Sequence, residues 1–414
     1  MITQLNSKCI VWTIILLILS FPQTVAAGGF IHGTRAGSMG CAFTGIADDP
    51  SAMAYNPAGL TNVDRTQVYT GSSVIIPSSK YTNLNGQRET TESQVFFPPH
   101  LYVSSDFCLD KFAFGLAIYS PFGIGGRKWL DTGLTRYQSV ESTIATINVN
   151  PSAAWQILPN LSVGAGLNYY YAMNEAVKKV DQSEAGSPDA RMEMEATGDG
   201  WGYNLGILYK PVKIFSIGAA YRSRVKVDQD GTLKIKGIAP PLQSIFNGSQ
   251  FKTDVETSIT FPDVVNIGIA LRPMDKLIIG LEYQWFGWSV LDYMDLHLKN
   301  QVPPILTDSS NLLDWQDSYS IAIGFEYWFS KTMAARAGYG FSDTYVPDHT
   351  LGPDNPDAKS HNVMMGFGYK AETWTADIGY MCSIYEDRTV RDSSLPGTYE
   401  NSSHAIMMSA GFMF

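Results

Sequence analysis

Segment after segment of this chain alternates apolar with small or polar residues at a period of two, the signature of a β-strand with two unlike faces. In 161–174, Leu161, Val163, Ala165, Leu167, Tyr169, Tyr171 and Met173 take the odd positions, while Ser162, Gly164, Gly166, Asn168 and Asn174 fall between them. In 277–285, Leu277, Ile279, Leu281, Tyr283 and Trp285 oppose Gly280, Glu282 and Gln284. In 321–329, Ile321, Ile323, Phe325, Tyr327 and Phe329 oppose Ala322, Gly324, Glu326 and Trp328. Only 16% of the residues are charged, against about 25% in a soluble domain. A wall that faces lipid on one side explains both facts, because its outer face needs apolar side chains and its inner face can be small or polar. A glutamate interleaved with the apolar set is costly in lipid, so Glu282 and Glu326 are predicted to point inward.

Segments of this kind fall near 64–77, 94–107, 111–120, 139–157, 160–175, 191–210, 213–230, 252–272, 275–290, 314–329, 331–345, 359–370, 372–386 and 402–414. These are fourteen, and an even number lets the first and last strands pair antiparallel and remove the sheet edge. Connections alternate between short and long. The short ones fall at Leu109-Asp110, Leu158-Pro159, Pro211-Val212, Pro273-Met274, Ser330-Lys331 and Lys370-Ala371. Bacterial barrels place tight turns on the periplasmic side and long loops outside. The predicted fold is therefore all-β, a fourteen-stranded antiparallel transmembrane β-barrel over 64–414. Its last strand ends on Phe412 and Phe414, as an edge of an aromatic girdle would.

The chain opens with Met1 to Lys8, an apolar run from Cys9 to Ser20, and small residues up to Ala27. This reads as a secretory signal peptide over 1–27 and implies export across a Gram-negative inner membrane to the outer membrane. No later stretch is apolar enough for a transmembrane helix. A net charge of −10 argues against a nucleic-acid partner. Cys41, Cys108 and Cys382 remain after residue 27, an odd number whose spacing matches no metal motif, and they read as packing residues. No metal site or cofactor is expected. The six histidines have no accompanying nucleophile motif, so no catalytic residue and no enzyme activity are expected.

Residues 28–63 do not alternate. They are glycine-rich and turn-prone, and their small and polar residues suit packing inside a lumen as an N-terminal plug, or hatch. Within them the run Ala47-Asp48-Asp49 … Asn56-Pro57-Ala58 resembles the plug of the FadL-type outer-membrane transporters of long-chain fatty acids and hydrocarbons. The resemblance continues through Tyr119-Ser120-Pro121-Phe122-Gly123, Asn148 to Ser152, Pro262-Asp263, Trp285 to Ser289 and Ala337-Gly338-Tyr339.

That resemblance implies a monomer, inserted by the barrel assembly machinery and surrounded by outer-membrane lipid. Extracellular loops would collect a hydrophobic substrate, a long-chain fatty acid, and pass it to a pocket above the plug. Plug movement and a kink in the third strand would then release it sideways. The kink maps to Ser120, Pro121, Phe122 and Gly123, where proline lacks a ladder donor and glycine tolerates unusual dihedrals; alternatively, Pro121 simply begins an extracellular loop. The collecting groove maps to Ile238, Leu242, Ile245 and Phe246, unless that loop packs on the barrel rim. A carboxylate would need a cation, and Arg136, Lys178, Lys179, Arg222, Arg224, Arg336 and Lys359 are available. Lys359, Arg136 and Arg336 are the headgroup candidates. The family often shows an arginine after a Pro-Asp motif in this region, whereas this chain reads Pro356-Asp357-Ala358-Lys359. Uptake of aromatic hydrocarbons is the alternative function, ahead of a general porin or a barrel hydrolase.

Overall fold

The alternating segments pair in sequence order into one closed antiparallel sheet. The computed structural model describes residues 31–414, so the leader expected at 1–27 and the first residues of the 28–63 segment lie outside the described residues. Fourteen strands cross the wall. They are β1 (Gln67–Asn83), β2 (Pro99–Ser105), β3 (Phe112–Tyr119, resuming as Ile124–Lys128), β4 (Glu141–Leu158), β5 (Leu161–Val180), β6 (Ala190–Val212) and β7 (Phe215–Arg222, then Val225–Lys236). The second half comprises β8 (Gln250–Phe261, then Val264–Met274), β9 (Leu277–Phe286), β10 (Ser318–Trp328), β11 (Met333–Ser342), β12 (Ser360–Lys370), β13 (Trp374–Tyr385) and β14 (Gly397–Met413). Closure is complete, because β1 pairs with β14 from Gln67 opposite Met413 to Asn83 opposite Gly397.

The two faces divide as the period-two pattern requires. Leu167, Leu281, Ile321, Met365 and Ile406 are exposed on the outer wall, while Glu282 and Glu326 are buried inside. Aromatic residues mark two levels of the outer face. Phe112 stacks on Trp155 near the periplasmic turns, and Tyr283 stacks on Tyr319 nearer the extracellular rim.

Several strands run further than the alternation indicates. β1 was expected to end at 77 and continues to Asn83, and β14 begins at Gly397 rather than 402. These extensions carry Ser78, Lys80, Thr82 and Glu400, so the ladder persists where the apolar contrast between the faces has gone. β7 and β8 were expected to be continuous, yet each breaks once. At the break the Asp263 carboxylate accepts hydrogen bonds from the Tyr221 hydroxyl at 2.6 Å and from Arg224 Nε at 2.7 Å.

The plug fills the lower lumen. It contains α1 (Thr34–Ser38), α2 (Ala52–Tyr55) and a 3-10 turn (Pro57–Asn62). Helices this short do not persist alone, so the wall must hold them. Inward glycines let it come close: a Cβ at Gly324 would collide with the Met39 carbonyl oxygen, and one at Gly164 with the Pro57 backbone.

Candidate functional site

The wall is weakest beside β3. β2 pairs with β1 only from Gln67 to Ser72, above which Ile75 opposite Phe96 forms a single bridge. β3 itself stops at Tyr119 and resumes at Ile124, in both places on β4. Pro121 and Gly123 account for the gap, since proline has no ladder donor and Gly123 sits at φ +81°, where other residues are strained. The chain thus returns to the same wall, and Pro121 does not begin a long loop.

A cavity of about 140 Å³ lies behind this gap. Ile75, Pro77, Phe96 and Pro98 form its apolar wall, Ile31 of the plug reaches it, and Ser120 and Gly123 of the break line it. Arg127, Asp357 and Tyr385 supply its polar side. Arg127 donates from Nε to Ser79 Oγ at 2.7 Å and from Nη1 to the Gly126 carbonyl at 2.9 Å, and it makes no ion pair among the described residues. In the loop between β11 and β12, Asp357 accepts from Thr344 Oγ1 and from the Tyr345 amide, and burial pushes its carboxyl up to about 6.

Phe122 turns from the break into the lumen. It stacks on Phe261 at 4.6 Å between ring centroids and meets Trp288 edge-on at 5.9 Å. Trp288 in turn stacks on Tyr345 and meets Trp315. The upper lumen is therefore aromatic and apolar, with the strand break built into its edge.

Below it, ion pairs tie the plug to the wall. Arg35 of α1 grips Glu326 of β10 with two hydrogen bonds, at 2.8 and 2.9 Å, and reaches Asp48 at 2.6 Å and Asp49 at 3.3 Å. Arg336 of β11 holds the same Glu326 at 2.7 Å and Asp377 of β13 at 2.6 Å. Asn56 donates to the Thr44 and Ile207 carbonyls, both at 3.0 Å, and accepts from the Ala58 amide at 3.2 Å. Pro57 opens the 3-10 turn and Ala58 is buried in it. The plug motif Asp48, Asp49, Asn56, Pro57 and Ala58 thus serves the plug's own fold and its seat in the barrel.

The remaining predicted site residues are scattered. Ile238, Leu242 and Phe246 do not form an exposed groove. They are buried with Val180, Met192 and Leu296 in a cluster that welds the extracellular ends of the strands, and only Ile245 is exposed. Part of the stretch forms a short helix, Gln243–Phe246, but its buried residue, Phe246, closes onto the rim. Arg336 is not free for a headgroup either, because two carboxylates already neutralise it. Arg136 pairs with Asp189 at 3.0 Å and Lys359 with Asp343 at 3.4 Å, neither on the cavity. Arg127, which does line it, is hidden in the sequence because Gly125-Gly126-Arg127 reads as loop after a third strand ending at 120. Among the described residues no cluster of His, Cys, Asp and Glu is arranged to hold a metal ion.

A plugged barrel with an apolar belt, a lumen of aromatic rings and a breach in its wall defines an outer-membrane transporter of hydrophobic compounds. The chain belongs to the outer membrane protein transport family that comprises OMPP1, FadL and TodX, whose model matches residues 17–414. It is 25% identical to the long-chain fatty acid transport protein of Escherichia coli O6:H1, with 95% of each chain covered. Its fold is that of a Pseudomonas aeruginosa FadL homologue, at a TM-score of 0.82 and 18% identity over 94% of this chain and 100% of that one. The Pseudomonas putida toluene transporter TodX superimposes at a TM-score of 0.76 and 16% identity, over 94% of this chain and 99% of that one.

Proposed function

We propose that the protein takes up long-chain fatty acids without an energy source, drawing the acyl chain into the aromatic upper lumen and releasing it sideways at the break in β3. Burial of the chain drives entry by roughly 0.8 kcal/mol per CH₂ group. A sideways exit keeps those groups out of water, and the plug must shift to let the molecule pass. No bond is made or broken. The protein works as a monomer, and its partners are the substrate, outer-membrane lipid and the machinery that inserts barrels.

The observation that carries this reading is the cavity at the break, whose apolar wall faces a guanidinium, Arg127, that makes no ion pair among the described residues, although Asp354 and Asp357 also line the chamber. A fatty acid presents the matching pair of an apolar tail and a carboxylate, which forms a charge-assisted hydrogen bond with arginine. The aromatic rings around Phe122 favour a second reading, uptake of aromatic hydrocarbons, which would need the rings but not the cation.

Binding of radiolabelled oleate to the protein in lipid nanodiscs, with toluene as competitor, separates the two. Saturable oleate binding that Arg127→Gln weakens about tenfold, as the loss of a charged hydrogen bond should, supports the fatty-acid reading. Toluene binding that displaces oleate and ignores the substitution favours the hydrocarbon.

A further inference from the structure

A second cation lies where the aromatic lumen meets the plug. Arg222 ends the lower segment of β7, is only 9% exposed, and has no carboxylate within ion-pair distance among the described residues. Its Nη2 donates to the Ala54 carbonyl of α2 at 2.7 Å, while its Nε is buried without an acceptor. The guanidinium lies 5.7 Å over the Tyr119 ring. The hydroxyls of Tyr102 and Tyr119 are buried and unpaired, and the Tyr170 hydroxyl sits beside the guanidinium.

A buried guanidinium without a counter-charge is expensive, and so are buried hydroxyls without partners. Here these donors converge on one place, and the backbone acceptor of the guanidinium among the described residues belongs to the plug. An anion with two oxygens would complete the set. It would also arrive in the right orientation, because Tyr170 lies against both Phe122 and Phe261, the rings at the edge of the aromatic lumen. A molecule whose tail lies among those rings brings its head to Arg222. On the neighbouring strand Asn204, directly opposite Arg222, donates to the preceding plug carbonyl, that of Met53, at 3.2 Å. Two adjacent wall residues therefore hold two successive carbonyls of α2.

We propose that Arg222, with the hydroxyls of Tyr102, Tyr119 and Tyr170, is a carboxylate receptor above the plug, and that a carboxylate bound there displaces the Ala54 carbonyl and loosens α2. The inference rests on the fatty-acid reading for its ligand class. It adds a site distinct from the Arg127 cavity and gives the substrate a direct means of unseating the plug.

The test compares oleate with oleyl alcohol, which shares the chain and lacks the charge, on the nanodisc-embedded protein. Hydrogen exchange of the amides of 52–58 is followed in parallel. Wild type should prefer the acid at least tenfold, and the acid alone should speed exchange in 52–58. In the Arg127→Gln background, which removes the cavity's cation, Arg222→Met should abolish the remaining preference by weakening only the acid, and should show fast exchange in 52–58 that no longer responds to ligand. Heat-modified gel migration checks that the variant is folded. If it is not, the double variant Tyr102→Phe, Tyr119→Phe keeps the guanidinium and should lose severalfold in acid affinity with the alcohol unchanged. Undiminished acid preference in the folded Arg222→Met protein, or in the double variant where that protein fails to fold, overturns the receptor and leaves fatty-acid uptake standing, as does wild-type exchange unmoved by oleate. Wild type that binds no oleate overturns both.

Discussion

Asp357 shows how one side chain can give the cavity a pH dependence. Its folded value near 6 stands above an ordinary 3.8, so the folded loop binds a proton more tightly than the unfolded chain does. The stabilisation this brings is complete below about pH 4 and is lost as the pH rises through 6. The backbone of 344–357 should accordingly exchange hydrogen more slowly at pH 5 than at pH 7, after correction for intrinsic rates, and Asp357→Asn should flatten the difference. Equal protection at both pH values in the wild type would contradict the assignment. The neutral form also matters to Arg127, since Asp357 is a carboxylate whose charge it feels across the cavity. The same scale shows what sequence could not reveal. Arg35, Arg127 and Arg222 look alike in the chain, and only the wall decides that the first is fully paired, the second borders an apolar chamber and the third has a plug carbonyl for its acceptor.

Among the elements, the strands were legible because a lipid-facing wall forces a period of two on the sequence, and each of the fourteen overlaps its alternating segment, although β1, β3, β5, β7 and β14 run five to eight residues beyond it. The breaks in β7 and β8 were not legible, since they depend on a side chain, Asp263, folding back on both strands. The groove failed for a related reason. A short amphipathic helix looks the same in sequence whether its apolar side meets solvent or other loops, and here it meets Leu296 and Met192. The tie between plug and wall leads to a prediction at this scale. Glu326 is fully buried and shared by Arg35 and Arg336, so Glu326→Gln removes the carboxylate that links them and leaves Arg35 with Asp48 and Asp49 and Arg336 with Asp377. Weakening those charged hydrogen bonds should cost about 1.5–3 kcal/mol. In planar bilayers the variant should conduct ions where the wild type stays closed, and an unchanged current would show that the tie does not hold the plug.

The whole molecule obeys the lipid more than any internal contact. Leu281 faces outward in the middle of β9, next to the inward Glu282. Leu281→Arg should destabilise the barrel by roughly 2–4 kcal/mol when unfolding is measured from a bilayer, whereas a serine at the same site should cost less. Similar losses for both would mean that the position does not sit in hydrocarbon.

The seam between β1 and β14 also sets the order of assembly. Its partners lie at opposite ends of the described chain, and the Phe414 amide donates to the Thr66 carbonyl at 2.9 Å. Contacts so distant in sequence form late. The plug immediately precedes β1, so it has to be in place before that last ladder zips, like a cork set in a cask before the final stave. We expect the two edge strands to stay apart while the hatch is seated, so that the rate of seam closure would time the maturation of the whole protein.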